Sequence, residues 1–258
     1  MYNGTVTLSS YQTVIFSASL PRRGSGHPRG TFRGEFTANG GPGSRQLSMT
    51  NSSRDSWEAT THRWTETVDG EHLRVARQRV GAVDGPQVVH MVLEVVAYAD
   101  DEAADQQRTG RVLVELDADQ ISIADDGRGT DTRRDADGVA VRKPVMATQD
   151  LRFFGREDAP ALPDGRARQG MSAVAASCRE LVHENRRHDG AWSQAYEYGV
   201  PTSDLVELTH WNGTGTTVRL RQLDTLAVSG VDVAQLRSYL DGFRNVEVTV
   251  RPVVERGA

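Results

Sequence analysis

Residues 88–102 read VVHMVLEVVAYADDE, and the reading of this stretch decides the fold. Val88, Val89, Met91, Val92, Leu93, Val95 and Val96 cover almost the whole circumference of a helix, so the helix belongs inside a core. Glu94 stands in the middle of it. An ionised carboxylate in such a place is costly unless it is paired or used. His90, Glu94 and Tyr98 recur at four-residue spacing and share one face, which Glu102 continues. A polar stripe on a buried helix faces a cavity, a ligand or a second charged element. The run ISIADDGRG, residues 121–129, supplies a partner: an alternating strand that ends in an acidic, glycine-rich turn.

Composition narrows the classes. The chain has 258 residues and a formal net charge of −5, which gives no support to a nucleic-acid-binding surface. No apolar run is long enough to span a bilayer, and no basic segment followed by an apolar block marks a secretory leader. The expectation is a cytoplasmic protein with no membrane partner and no direct DNA contact. Cys178 is the single cysteine, so an internal disulfide is excluded and a cysteine-based zinc site is not expected. Its place on a small-residue helix predicts buried packing. Lys143 is the single lysine.

Outward from the long helix, residues 1–66 alternate strand-like runs (GTVTLSS, QTVIFSASL, GTFRGEFTAN) with Gly/Pro/Arg-rich loops. They read as a β-rich N-terminal extension, residues 67–258 as the main domain. Residues 71–79 predict a short helix, and Asp84 with Pro86 a cap and first turn for the long one. Residues 111–116 and 121–124 predict paired strands. Residues 131–137 read as a charged, irregular stretch, 139–151 as a helix broken near its start by Pro144, and 154–169 as a long loop. Residues 170–181 (GMSAVAASCREL) read as a small-residue helix. Two hairpins follow, 181–185 with 191–198 and 205–210 with 216–221. Residues 231–243 form an amphipathic helix and 246–253 a last strand. This order predicts an α+β, two-layer α/β sandwich, with helices on one face of a mixed sheet.

VVHMVLEVVAYADDEA, then ISIADDGRG, then GRARQGMSAVAAS, then TGTTVRL, resemble in that order the ATPase domain of the DNA gyrase B and topoisomerase IV family. That family lies within the GHKL (Bergerat-fold) superfamily. The resemblance runs from about residue 71 to 253 and implies a nucleotide-binding fold. It implies a water-activating glutamate at Glu94. It implies an adenine-binding aspartate at Asp125, with Gly127 and Gly129 admitting the base. Arg128 and Glu102 match a pair closing one side of the site, Val145 and Met146 match apolar residues around adenine, and Thr216 matches the threonine beside it.

The chain departs from the family at the phosphate end. The magnesium-holding asparagine is Tyr98 and the preceding aspartate is Ala97. A phenol is a poor Mg²⁺ ligand at neutral pH. The family's G-x-x-G-x-G run is here residues 165–170, with Arg168 in place of the middle glycine and Gly170 retained. Arg166 and Arg168 both read as solvated charges of this segment sooner than as phosphate clamps. The implied ligand is ATP or another adenine nucleotide, with Mg²⁺ doubtful and no other metal. The leading expectation is a stand-alone binding or regulatory module with impaired ATPase chemistry. Two enzyme readings stand beside it: an ATPase with Glu94 as general base, and a repurposed enzyme using His90, Glu94 and Tyr98 as acid and base. A third makes the chain an interaction protein that pairs with gyrase or with a second copy of itself through its N-terminal extension.

Overall fold

The computed structural model describes residue 62 and residues 68–252 apart from 135–139 and 142–143, together with the strands β1 (Thr7–Leu8) and β2 (Val14–Ile15). Two compact units divide the chain, Met1–Thr50 and Asn51–Ala258. In the first, β1 and β2 pair antiparallel, Thr7 opposite Ile15. The remaining strand readings of the extension, its boundary at 66/67 and Lys143 lie outside the described residues.

The second unit opens with α1 (Gly70–Val80) and α2 (Gly85–Asp105). The Asp84 carboxylate caps α2 by accepting from the Gln87 amide at 2.9 Å, with proline in the first turn as the sequence predicts. Val88, Met91, Val92, Leu93, Val95 and Val96 are all buried, so the helix is enclosed as its unbroken apolar girth demands. Near its far end the Asp100 carboxylate accepts from the Arg244 and Asn245 amides, which fastens α2 to the turn before the last strand.

Beneath α2 lies a mixed sheet. Its strands are β3 (Gly110–Leu116), β4 (Ile121–Asp125), β7 (Glu180–Arg187), β8 (Gly190–Glu197), β9 (Val200–Pro201), β10 (Val206–Glu207), β11 (Gly215–Arg221) and β12 (Val246–Pro252). The order is β10-β8-β7-β11-β4-β3-β12, with β9 on β8. Only the β12–β3 pair is parallel. A separate pair joins β5 (Arg133–Arg134) to β6 (Ala140–Val141). Side chains alternate between the faces of a strand, so register fixes what faces the helices. One inward row runs Val114, Ile123, Val218, His183, and all four are buried. The next inward row runs Val112, Asp125, then Thr216, Asn185 and Trp192. The rows between them face away and are mostly half-exposed.

Three sequence expectations are corrected. The helix read at 139–151 is not found among the described residues of that stretch, where β6 and a 3-10 turn, Pro144–Met146, stand instead. Pro144 has no amide donor, which disfavours an α-helix running through it. The small-residue helix α3 (Met171–Ser177) stops short, and Glu180 already begins β7. Leu181, fully buried between Tyr196 and Leu220 partners, is worth more to the sheet than to one more helical turn. Finally, 206–207 pairs with β8 and not with β11, because β7 and β4 occupy both edges of β11. The helix read at 231–243 is α5 (Val233–Leu240), and α4 (Thr225–Ser229), which the sequence reading did not mark, precedes it; each is capped by an aspartate.

Two buried groups give tests of this packing. Burial pushes the Cys178 thiol up to about 12 and its sulfur donates to the Val174 carbonyl, so the expected outcome is no alkylation by iodoacetamide at pH 8 until the protein is unfolded. His72 lies against Ser172 at 2.8 Å, and burial lowers its pKa below the ordinary 6.5. The folded state therefore disfavours the proton that the unfolded chain accepts. Stability is full above pH 6.5 and falls as pH drops toward the folded value. Melting temperature measured against pH should show that decline, and His72→Gln should flatten it.

Candidate functional site

The stripe on α2 does not face open solvent. His90, Glu94 and Tyr98 each meet the segment that runs from Asp150 to Met171. His90 Nδ1 lies 2.7 Å from Asp164 Oδ2, both side chains buried. Glu94, 1% exposed, accepts from the Gln169 amide at 2.9 Å and from Arg168 Nε at 3.3 Å. Arg168 is 6% exposed, and its Nη1 donates to Asp101 at 2.7 Å. Its guanidinium also lies over the rings of Phe153 and Tyr98, at 4.0 and 4.8 Å. Arg168 is therefore not the solvated charge that the sequence suggests, whereas Arg166 is exposed as read and its Nη2 donates to Gln87. A carboxylate this deep needs a cation and hydrogen bonds together, and Arg168 with the Gln169 amide supplies both.

Tyr98 is the next member. Its hydroxyl donates to Asp150 Oδ2 at 2.8 Å and lies 3.4 Å from the Met171 amide at the start of α3. Burial first, then the Asp150 and Glu94 carboxylates, push the phenol well above its ordinary range, so it stays protonated. Asp150 is fully buried. Burial alone would raise its carboxyl, but the Arg152 hydrogen bonds and charge outweigh that and hold it below the ordinary aspartate value. Gly170, at φ +93°, lets the chain pass this point: a Cβ there would sit 2.8 Å from that of Asp150.

A cleft of about 250 Å³ opens between α2 and the sheet. The structure brings to it Tyr98, Glu102, Asp125, Arg128, Gly129, Val145, Met146 and Thr216 from the sequence reading. It leaves His90, Glu94 and Gly170 on a separate cavity of about 10 Å³ on the other side of the stripe, and Arg168 and Gly127 line neither. Asp125 Oδ1 accepts from the Gly127 and Thr216 amides at 2.8 and 3.1 Å, and Oδ2 from the Thr216 hydroxyl. A carboxylate offers about four lone-pair positions, so one is left for a donor in the cleft. Arg128 and Glu102 pair across the rim at 2.7 Å, both in contact with solvent, where such a pair adds little stability.

The turn after Asp125 is pinned to the sheet. Asn185 accepts from the Thr130 amide at 2.6 Å and donates to its carbonyl, Arg187 donates to the Gly129 carbonyl, and Trp192 Nε1 donates to Thr132. Gly129, at φ +74°, passes so close that a Cβ would lie 2.4 Å from the Arg186 carbonyl. His183, Trp192, Tyr196 and Met171 also line the cleft and escaped the sequence reading of the site, as did Asp101 and Asp150 beside it. Asp101 was detectable, since seven residues after Glu94 is the same helix face. Asp150 carried no signal, and the aromatic three become neighbours only through strand register.

The donor set suits a hydrogen-bonding heterocycle better than magnesium. The metal position of the resemblance is a neutral phenol already donating to Asp150, and a guanidinium lies between Glu94 and Asp101. Among the described residues no group of three or more His, Cys, Asp or Glu could hold a metal ion. A neutral phenol that already donates to Asp150 is a poor ligand for Mg²⁺.

Arg168→Met should lower stability in urea denaturation by about 3 kcal/mol, because it strands a buried carboxylate. Adding Glu94→Gln should restore most of that. Equal loss in the single and double variants would mean that Glu94 is not what Arg168 neutralises.

Comparison with known proteins finds DNA gyrase B subunits. The chain is 33% identical over 153 residues to DNA gyrase B of Mycobacterium tuberculosis, covering 58% of this chain and 22% of that protein. Over 162 residues it is 32% identical to DNA gyrase B of Haloferax volcanii, covering 58% and 25%. Over 158 residues it is 30% identical to that of Staphylococcus aureus, covering 58% and 24%. The chain thus spans about a quarter or less of the length of these relatives, and it carries a gyrase-B-like domain. No protein-family model matches it.

Proposed function

We propose that this gyrase-B-like domain binds an adenine-type heterocycle at Asp125 and Thr216, and acts as a binding or regulatory module without magnesium-dependent ATP hydrolysis. The similarity to DNA gyrase B supports nucleotide binding as the ancestral property of the cleft. The observation that carries the second half is the buried Arg168 guanidinium between Glu94 and Asp101. In this arrangement the residue that would activate water is neutralised from within the chain, and Tyr98 and Asp150 take up the place and the Met171 amide that a metal-bound phosphate would need. Phosphoryl transfer rests on positioning and charge neutralisation, so these changes cost catalysis more than they cost recognition of a base.

One observation favours a rival. Glu94 is retained on α2 and faces the segment that carries Arg168, so movement of that segment would release it for use as a general base in a working ATPase.

Titration with ATP, ADP and adenosine, with and without Mg²⁺, separates the two. The expected result is similar affinity for all three, indifference to metal, no phosphate release, and at least tenfold weaker binding in Asp125→Asn. Metal-dependent phosphate release that Glu94→Ala abolishes would overturn the proposal in favour of the ATPase. Absence of binding by all three would remove the adenine reading and leave the repurposed-enzyme alternative.

A further inference from the structure

The cleft is longer than the base-binding end requires. Its floor starts at Asp125 on β4 and Thr216 on β11, passes His183 on β7 and ends at Trp192 and Tyr196 on β8. Asp125 and Trp192 belong to one inward row, joined through Thr216 and Asn185, and stand three strands apart. Three spacings of about 4.8 Å place them roughly 14 Å from each other, beyond the reach of a single purine. The far end is aromatic and built. The His183 and Trp192 rings meet edge to face, with centroids 5.1 Å apart and planes at 85°. The Trp192 indole is fixed from outside by its hydrogen bond to Thr132. Met146 and Met171 close over the same floor, and thioethers pack well against rings.

Charge argues against a phosphate chain at this end. Among the described lining residues the potential cations are Arg128, tied to Glu102, and His183. The carboxylates Asp125, Glu102 and Asp131 also lie along the cleft, and Asp131 is paired with Arg187. The volume, about 250 Å³, is just below the roughly 300–1,000 Å³ of ordinary small-molecule sites. That suits a compact, flat ligand.

We infer that His183, Trp192 and Tyr196 form an aryl subsite, and that the ligand is a neutral aromatic molecule: one donor-bearing heterocycle held at Asp125 and one apolar ring held on β8. The heterocycle half rests on the adenine-type reading above. The aryl half rests on the sheet register and the ring geometry. Offset or edge-to-face contact with two rings adds affinity beyond area alone.

The test uses the full chain with adenine, its 2-, 8- and 9-phenyl derivatives, and 2-naphthol as an aryl probe with no purine. At least one phenyl isomer should bind tenfold or more tighter than adenine, and that ratio should fall below threefold in Trp192→Ala. Trp192→Phe keeps a ring and guards against a misfolded alanine variant: the tryptophan quenching by the phenyl isomer should vanish while the ratio stays above threefold. If adenine binds in an Asp125-dependent way and no isomer gains, the aryl subsite is wrong and the adenine reading stands. If adenine does not bind but 2-naphthol quenches Trp192, the subsite stands and the adenine reading is wrong. If neither binds, both fall.

Discussion

The buried carboxylate of Glu94 is the constraint around which this domain is arranged. Burying it without a partner would cost several kcal/mol even after relaxation, comparable with much of a domain's net stability. The chain meets that cost with Arg168 and the Gln169 amide. Arg168 in turn requires Asp101 and the faces of Tyr98 and Phe153. A single charge inside α2 therefore dictates where the segment 150–171 must lie. His90 with Asp164 and Tyr98 with Asp150 repeat the contact one turn to either side. The segment is sewn to the helix from His90 to Tyr98, and α3 is delivered to the top of the cleft as a result.

The sheet supplies the second half of the site by a different logic. Its period of two sends Asp125, Thr216 and Trp192 inward together, although they lie on three different strands. Asn185 occupies the same row. Its side chain fixes the turn after Asp125 in place and does not itself line the cleft. The polar end and the aromatic end thus share one rigid surface, and the spacing between them is set by the strand-to-strand distance. The cleft is consequently divided by chemistry, with hydrogen-bond acceptors over β4 and β11 and rings over β7 and β8.

Much of the framework was legible because it depends on local pattern. The enclosed helix at 88–102, its Asp84 cap, the strands on either side of residue 118 and the hairpin at 181–198 all follow from periodicity and turn chemistry. The stretch 139–151 was misread because apolar spacing there resembles a helix, while the structure is set by Pro144 and by where Asp150 must go. The end of α3 was misread because Arg179, Glu180 and Leu181 carry helix propensity, whereas burial of Leu181 in the sheet outweighs a fraction of a kcal/mol per residue. At the site, Asp125, Thr216 and their glycines were found through ordered motifs. Asp150 and the aromatic floor were not, since nothing near them in the chain marks them.

What the sequence settled alone is what neighbouring residues settle among themselves: that residues 88–96 of α2 are buried on all sides, that they carry a carboxylate in need of a partner, and that an acidic glycine turn follows the second core strand. Which cation meets Glu94, which side of Tyr98 faces the cleft, and that Trp192 shares a floor with Asp125 were decided by tertiary structure. These depend on contacts between residues about 50 to 90 positions apart, where strand register and the path of a long loop choose the partner and local propensity has no influence.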